Sequence, residues 1–341
     1  MPRRAALIGR TAICVPVRDE AALLPRFLDA LAAQDRQDFT LCILFDGCAD
    51  ASSGIVAARA TSLPFAVVSA EVAAAAPNAG LARRRAMDLG LSVVNDDGMI
   101  VSTDADSVPA RDWSSANAAA LSIAEVAAGR IAREGGRENA VQDRVERYYD
   151  ALFALRRAID PVAWEAPETH HYTSGASLAF RASAYRALGG FEPISSAEDA
   201  RLVDAAHRAG LRVRRDAAIR VETSARRSGR AIGGLADHLS KVDSGETPPM
   251  MGHPEDAVWR YERHAVARAA WPDIGGWRAS LAAEFDCDVA HIDRIAAEVP
   301  NAEAFAMRVV PDRPGGERTS TLEEAEAALA RIARSKRVLA A

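Results

Sequence analysis

Lysine is almost absent from this chain of 341 residues, because Lys241 and Lys336 are its only lysines and the other basic side chains are arginines. Arginine suits bidentate contacts with phosphate, although codon usage is the simpler explanation of the bias. An excess of positive charge is also lacking, since the net charge is −5 and the isoelectric point is about 5.9. Proteins that bind nucleic acid normally carry a basic stripe, so neither DNA nor RNA is an expected partner.

Cysteine is scarce as well, and long apolar runs are missing. The four cysteines (Cys14, Cys42, Cys48 and Cys287) show no CxxC spacing of the metal-binding kind, and the first two lie in apolar, strand-like runs. This pattern predicts a reduced, cytoplasmic setting. No window approaches the ~18 apolar residues of a membrane-spanning helix, so neither a signal peptide nor a membrane span is expected.

The composition is that of an ordinary globular protein, with 49% hydrophobic and 26% charged residues. Its length exceeds that of one usual domain. We therefore expect a catalytic domain over 1–244 and a helical C-terminal appendage over 245–341. Within the first, 131–175 is predicted to be an irregular insertion on the acceptor side. Ser320 and Glu323 are predicted to form a capping box at the start of the last helix.

Short apolar runs alternate with helical patterns along the first half of the chain. Residues 11–17 form an apolar run, and Leu24, Phe27, Leu28 and Leu31 follow at helical spacing. This alternation predicts an α/β fold with a mostly parallel, Rossmann-like sheet flanked by helices. Further strands are predicted at 40–45, 65–69, 99–103, 176–181, 211–214 and 218–222.

Polar residues, most of them acidic, follow three of these strands. Arg18-Asp19-Glu20 come after the first strand, Asp46 ends the second, and Asp104 and Asp106 come after the fourth. In open parallel sheets, ligands bind beyond the carboxyl ends of the strands. The acidic residues are therefore predicted to converge on one rim.

Two acidic pairs are the strongest candidates for chemistry. Asp104 and Asp106 can face the same space, where two carboxylates suit a hard divalent cation and its phosphate ligand. Surface loops also carry such triplets by chance, so this motif alone does not decide the function. Glu198 and Asp199 begin a predicted helix, where either the helix dipole or a general base for an acceptor hydroxyl explains them.

The ordered set of motifs resembles the family 2 glycosyltransferases of GT-A fold, over roughly 11–230. Residues 16–20 stand where family members carry PxxNE, with Asp19 in place of the asparagine. Residues 46–52 match an acidic DGSxDxT-like stretch, and residues 78–85 match a helix start with glycine and arginine. The DxD motif, Gly189-Gly190-Phe191 and Glu198-Asp199 follow in the family's order.

This resemblance implies transfer of a sugar, with inversion, from a nucleotide-diphosphate donor to an acceptor hydroxyl with the help of Mn²⁺ or Mg²⁺. Many GT-A enzymes supply a histidine metal ligand after the last strands, where this chain has Glu222, Thr223 and Ser224. The implied nucleotide-binding residues are Pro16, Arg18, Glu20, Asp46, one of Arg83 and Arg85, Asp104, Arg226 and Arg227. Asp106 and Asp104 are the implied metal ligands, and Asp199, with Glu198 beside it, is the implied base.

Two other functions use the same residues. A phosphatase of haloacid-dehalogenase type would use Asp104 as its nucleophile, but it needs a lysine before the second acidic pair, and the first lysine is Lys241. A catalytically inactive nucleotide-sugar-binding module would keep the fold without turnover. The sequence leaves open the donor sugar, the acceptor and the oligomeric state.

Overall fold

A computed structural model describes residues 9–73, 76–134, 140–224, 226 and 248–340. The chain divides into two compact units. The first consists of the described parts of 1–137, 166–206 and 212–238, and the second of the described parts of 138–165, 207–211 and 239–341.

An eight-stranded sheet forms the centre of the first unit, in the order β3-β2-β1-β4-β7-β6-β8-β5. Strands β3, β2, β1 and β4 pair in parallel, and so do β6 and β8. Strand β7 runs antiparallel between β4 and β6, and β5 pairs antiparallel with the end of β8. The strands are β1 (Gly9–Val17), β2 (Thr40–Asp46), β3 (Ala66–Val72), β4 (Val94–Ser102), β5 (Ser107–Pro109), β6 (Val126–Glu134), β7 (Leu178–Arg181) and β8 (Val213–Ser224).

The apolar runs of the sequence are the central strands of this sheet. All seven residues of β2 are buried, as are most of β1, because helices cover both faces of a parallel sheet. Helix α1 buries Leu24, Phe27, Leu28 and Leu31, which are the residues whose spacing predicted it. The predicted α/β fold is confirmed. The other helices of this unit are α2 (Ser52–Arg59), α3 (Ala79–Leu91), α4 (Trp113–Ile123) and α6 (Ala182–Ala187), and α1 is Leu24–Ala32.

Strands β5, β6 and β8 of this sheet differ from the prediction. Strand β5 was not predicted, because it has only three residues. Strand β6 was not predicted, because its sequence VAAGRIARE has few of the branched and aromatic residues typical of strands. The two short strands predicted near 211–222 are one strand, β8. Its register with β6 jumps from the pair Gly129–Asp216 to the pair Arg130–Arg220. The extra residues of β8 form an irregularity in its pairing with β6. This irregularity interrupts the strand pattern of the sequence, so one strand was predicted as two.

Helix α7 (Glu198–Arg208) begins in the first unit and ends in the second. Gly210 follows it with a φ of +80°, the left-handed conformation that glycine commonly adopts just after a helix. At the far end of the helix, His207 Nδ1 lies 2.6 Å from Glu303 Oε1.

The second unit is mainly helical. Among the described residues it contains α5 (Ala140–Ile159), α8 (Pro254–Ala270), α9 (Ile274–Phe285), α10 (Val289–Glu298), α11 (Ala302–Val309) and α12 (Leu322–Ala340), with a two-stranded antiparallel sheet of β9 (Met250–Gly252) and β10 (Thr319–Thr321). The segment 131–175 is thus divided between the two units, and its role on the acceptor side stays a prediction.

The cap of α12 lies one residue later than predicted. Glu324 accepts hydrogen bonds from the backbone N–H and the hydroxyl of Thr321, both at 2.9 Å, whereas Ser320 and Glu323 were predicted. The helix begins at Leu322, so the residue directly before it is Thr321 and not Ser320. No helix in the described part of the chain is long and apolar enough to cross a membrane.

Candidate active site

A cleft of about 520 Å³ lies at the carboxyl ends of β1, β2 and β4 in the first unit. It is lined by residues from the ends of these strands, the start of α3, the turn before β7, the start of α7 and the end of β8. The predicted site residues that line it are Pro16, Arg18, Glu20, Asp46, Arg83, Asp104, Asp106, Glu198, Asp199 and Arg226.

Two predicted residues are not placed in this cleft. Arg85 is exposed and does not line the cleft, because it stands about 200° around α3 from Arg83. Of the two arginines that the sequence left open, the structure therefore brings Arg83 to the site. Arg227 lies outside the described residues.

The loops after β1 and β2 brace each other on one side of the cleft. Arg18 donates to the Asp46 backbone carbonyl at 2.9 Å and to Asp46 Oδ2 at 2.7 Å. Asp19 has a φ of +53° and accepts from the Ala49 N–H at 2.7 Å. Aspartate and asparagine both tolerate this left-handed conformation, so the replacement of the family's asparagine is compatible with the loop.

Arg226 joins two of the acidic motifs. It donates to Glu20 Oε2 at 2.7 Å and to Glu20 Oε1, and its Nη2 lies 3.2 Å from Asp106 Oδ2. Glu20 is held in turn, since its backbone N–H donates to the Ser52 hydroxyl at 3.0 Å.

The pKa of Asp106 departs far from its ordinary value. Burial first, and then the nearby charge of Asp104, raise the pKa of Asp106 to about 7, although Arg226 opposes the shift. A bound cation would reduce the repulsion between these two carboxylates. The oxygen donors of Asp104 and Asp106 therefore fit a divalent metal ion.

Among the described residues, no third acid joins Asp104 and Asp106 in a close group of metal-capable side chains. Thr223 and Ser224 line the cleft, whereas Glu222 is exposed because side chains alternate along β8. Within the described residues, the one close trio of metal-capable side chains is Asp19, Cys48 and Asp50. Mg²⁺ and similar ions commonly take one or two carboxylates and complete their shell with phosphate and water, so a third protein ligand is not required.

Arg83 lies at the centre of the site, between the two acidic motifs. Its guanidinium donates to Asp104 Oδ1 at 2.9 Å and to Glu198 Oε1 at 3.2 Å. It also donates to the Ser102 hydroxyl at 2.8 Å and to the Gly175 carbonyl at 2.9 Å. Burial would lower the pKa of Arg83, but Asp104, Glu198 and Asp199 hold it above its ordinary value. Arg83 is therefore a buried cation shared by both motifs.

The Gly175 peptide connects this arginine to Asp199. Its N–H donates to Asp199 Oδ2 at 3.0 Å, while its carbonyl accepts from Arg83 and Ser102. A Cβ at Gly175 would lie 2.2 Å from Arg83 Cζ, so glycine is needed for this close approach.

Asn78 and Gly80, at the start of α3, fix the loop that leads to the second acidic pair. Asn78 caps α3 by accepting from the Leu81 N–H at 2.8 Å, and its amide donates to the Pro193 carbonyl at 2.9 Å. The Gly80 N–H donates to the Ile194 carbonyl at 2.9 Å. A Cβ at Gly80 would lie 2.0 Å from the Glu192 carbonyl.

Glu198 and Asp199 are adjacent but differ in exposure. Glu198 is 5% exposed and bonded to Arg83, whereas Asp199 is half-buried and faces the cleft. The two carboxylates therefore have different partners and different access to a substrate.

Three residues of this network were not singled out from the sequence: Asn78, Ser102 and Gly175. Asn78 carried a signal, since asparagine followed by a helix start is a preferred N-cap. No sequence signal marked Ser102 and Gly175, because their hydrogen bond joins residues that are 73 positions apart in the sequence.

Comparisons with known proteins show the family of the chain. The model of glycosyl transferase family 2 matches residues 12–187, which is more than half of the chain. This chain belongs to glycosyl transferase family 2. The predicted family is thereby confirmed, and the phosphatase alternative is excluded. No curated protein matches the sequence significantly.

Solved structures of glycosyltransferases have a similar fold to this family 2 member. The mannosyltransferase PcManGT from Pyrobaculum calidifontis, in complex with GDP-Man and Mn²⁺, is 20% identical with a TM-score of 0.51, over 85% of this chain and 80% of that one. TarS 1-349 of S. aureus, in complex with UDP-GlcNAc, is 12% identical with a TM-score of 0.50, over 89% and 82%. The chain is a nucleotide-sugar glycosyltransferase of GT-A fold.

Proposed function

We propose that this glycosyltransferase uses the cleft to move a sugar from a nucleoside-diphosphate donor to an acceptor hydroxyl, with inversion and with a divalent cation, Mn²⁺ or Mg²⁺. The observation that carries the proposal is the convergence of the DxD pair and the Glu198-Asp199 pair on one cleft around Arg83.

The donor side of the cleft is formed by the ends of β1 and β2. Pro16, Glu20 and Asp46 would contact the base and the ribose, and Arg18 would hold Asp46 in place through its two hydrogen bonds. The relatives of similar fold were solved with GDP-Man or UDP-GlcNAc, which makes GDP and UDP the natural probes.

Asp104 and Asp106 would hold the metal ion. When bound, the ion would withdraw charge from the diphosphate as the sugar bond breaks. Arg226 lies beside Asp106 and supplies a second positive group for the leaving phosphate oxygens.

Asp199 is the proposed base on the acceptor side. Its Oδ2 is oriented by the Gly175 N–H and its side chain is open to the cleft. The carboxylate takes the proton of the acceptor hydroxyl, and the oxygen attacks the anomeric carbon from the face opposite the leaving diphosphate, which inverts that centre. Glu198 is buried against Arg83, so its proposed role is to fix that arginine.

The proposed setting is cytoplasmic. All four cysteines are free, with Cys14 and Cys42 buried in the sheet and the other two partly exposed. Free cysteines are typical of reducing compartments.

Calorimetric titration with UDP and with GDP tests the metal dependence. We expect one of the two to bind at least about tenfold more tightly with Mn²⁺ present than with EDTA, because Asp104 and Asp106 would hold a cation that offsets the charge of the diphosphate. Equal affinity with Mn²⁺ and with EDTA for both nucleotides would contradict a metal-dependent transfer.

A further inference from the structure

Arg226 places a positive charge beside one of the two proposed metal ligands. One guanidinium holds both oxygens of Glu20 and lies 3.2 Å from Asp106 Oδ2. The three side chains are 25%, 9% and 16% exposed, so these charges meet largely out of water. Asp106, the proposed metal ligand, therefore already has a cation beside it.

The partners of Arg226 are acids with proposed functions. Glu20 lies on the proposed nucleoside side and Asp106 on the proposed metal side. A guanidinium binds carboxylate and phosphate with the same bidentate geometry. The diphosphate of a donor can thus replace the Glu20 carboxylate as the partner of Arg226 without any change in the kind of bond.

We propose that Arg226 is the resident counter-ion of the donor-free cleft and that it couples metal entry to nucleotide entry. It neutralises Glu20 and Asp106 until a nucleoside diphosphate draws its guanidinium onto phosphate. Asp106 would then be able to hold the divalent cation without a competing positive charge beside it. This inference rests on the proposed function, because it takes Asp104 and Asp106 as metal ligands.

The coupling has a measurable sign. A positive group beside Asp106 repels a cation, so Mn²⁺ alone should bind the wild-type protein weakly. If the nucleotide removes that group, Mn²⁺ should tighten nucleotide binding and the nucleotide should tighten Mn²⁺ binding by the same factor. Loss of Arg226 should make this factor smaller, because Mn²⁺ should then bind more tightly to the nucleotide-free protein.

The test is calorimetric titration of Mn²⁺ into the nucleotide-free protein. We expect Arg226→Gln to bind Mn²⁺ at least about fivefold more tightly than wild type, as for a typical coupling between two ligands. Arg226→Lys should fall between them, because an ammonium keeps the charge but cannot hold both Glu20 oxygens. Both variants should bind UDP or GDP more weakly when Mn²⁺ is saturating.

Two controls make the result specific. Arg212→Gln removes an exposed arginine that pairs with Glu125 and does not line the cleft, and it should leave Mn²⁺ affinity unchanged. Adding Asp106→Asn to Arg226→Gln should abolish the tighter Mn²⁺ binding. The Mn²⁺ that this double variant still binds elsewhere can then be subtracted. Thermal unfolding of Arg226→Gln and Arg226→Lys establishes that the compared proteins are folded.

The outcomes separate the two proposals. If Arg226→Gln binds Mn²⁺ alone no more tightly than wild type, while wild type binds Mn²⁺ with nucleotide, the counter-ion proposal is wrong and the metal-dependent function stands. If wild type fails to bind Mn²⁺ with either nucleotide, the proposed metal dependence is wrong and the counter-ion proposal falls with it.

Discussion

At the scale of single residues, the two neighbouring acids of α7 are expected to respond differently to loss of charge. Asp199→Asn keeps an oxygen for the Gly175 N–H but cannot take a proton from the acceptor. We expect turnover to fall by ~10²–10⁴ fold with nucleotide affinity nearly unchanged. Release of nucleoside diphosphate from the donor and calorimetry measure the two effects. Wild-type turnover in Asp199→Asn would remove this residue from the role of base.

Arg83 is expected to matter for stability as much as for chemistry. Arg83→Gln leaves buried Glu198 without its cation, and the loss of one partner of a buried ion pair costs about 3–5 kcal/mol. Arg85→Gln is the matched control, because this exposed arginine on the same helix should change stability by less than about 0.5 kcal/mol. Denaturant unfolding compares them. Equal stability of the two variants would show that Arg83 is not the centre of the network.

The charged residues that line the cleft could be predicted from the sequence, but their pairings could not. The positions of Asp104 and Asp199 followed from strand ends and from the family's motif order. The choice between Arg83 and Arg85 required the rotation of α3, and the bond from Gly175 to Asp199 required the tertiary fold. Motifs record which residues occur, whereas the partners are set by contacts between distant segments.

At the scale of elements, the strands that form apolar runs in the sequence were predictable, whereas β6 was not. Strands β1, β2 and β4 are buried on both faces and read as apolar runs. Strand β6 is stabilised by its neighbours β7 and β8, and not by strand-forming residues of its own. Its alanines carry no period, so local sequence could not distinguish it from a loop.

The contact between α3 and the loop before α7 positions Asp199 at the start of its helix. In Gly80→Ala, the new methyl group meets the Glu192 carbonyl, so the loop has to move. We expect a loss of about 1–3 kcal/mol in stability, together with reduced turnover. Gly54→Ala on α2 is the control, since nothing lies within 4 Å of its Cβ, and it should keep or slightly raise stability. If Gly80→Ala keeps wild-type turnover, this contact does not position the base.

At the scale of the whole molecule, sequence motifs indicate the function of the first unit but not that of the second. The family match ends at residue 187, yet Glu198, Asp199 and Arg226 lie beyond it and still line the cleft. The second unit has its own core, which includes Phe285, Ile292 and Phe305. Its sequence predicted helices through their apolar stripes, but no motif predicted what this unit does.

Each unit contains a buried, neutral histidine, so acid is expected to destabilise both. Burial, followed by nearby arginines, lowers the pKa of His170 in the first unit and of His264 in the second to about 3. The ordinary value is 6.5, so the unfolded chain binds more protons between pH 6.5 and 3, and stability falls as the pH falls through this window. At pH 5 each histidine should cost roughly 2 kcal/mol relative to pH 7.5.

The variants His170→Gln and His264→Gln test this at the level of each unit. Each should lose part of the difference in unfolding midpoint between pH 7.5 and pH 5, because glutamine does not titrate. The double variant should lose both parts additively, since the two histidines belong to different compact units. A double variant that keeps the wild-type sensitivity to pH would show that carboxylates, and not these histidines, govern the acid response of the enzyme.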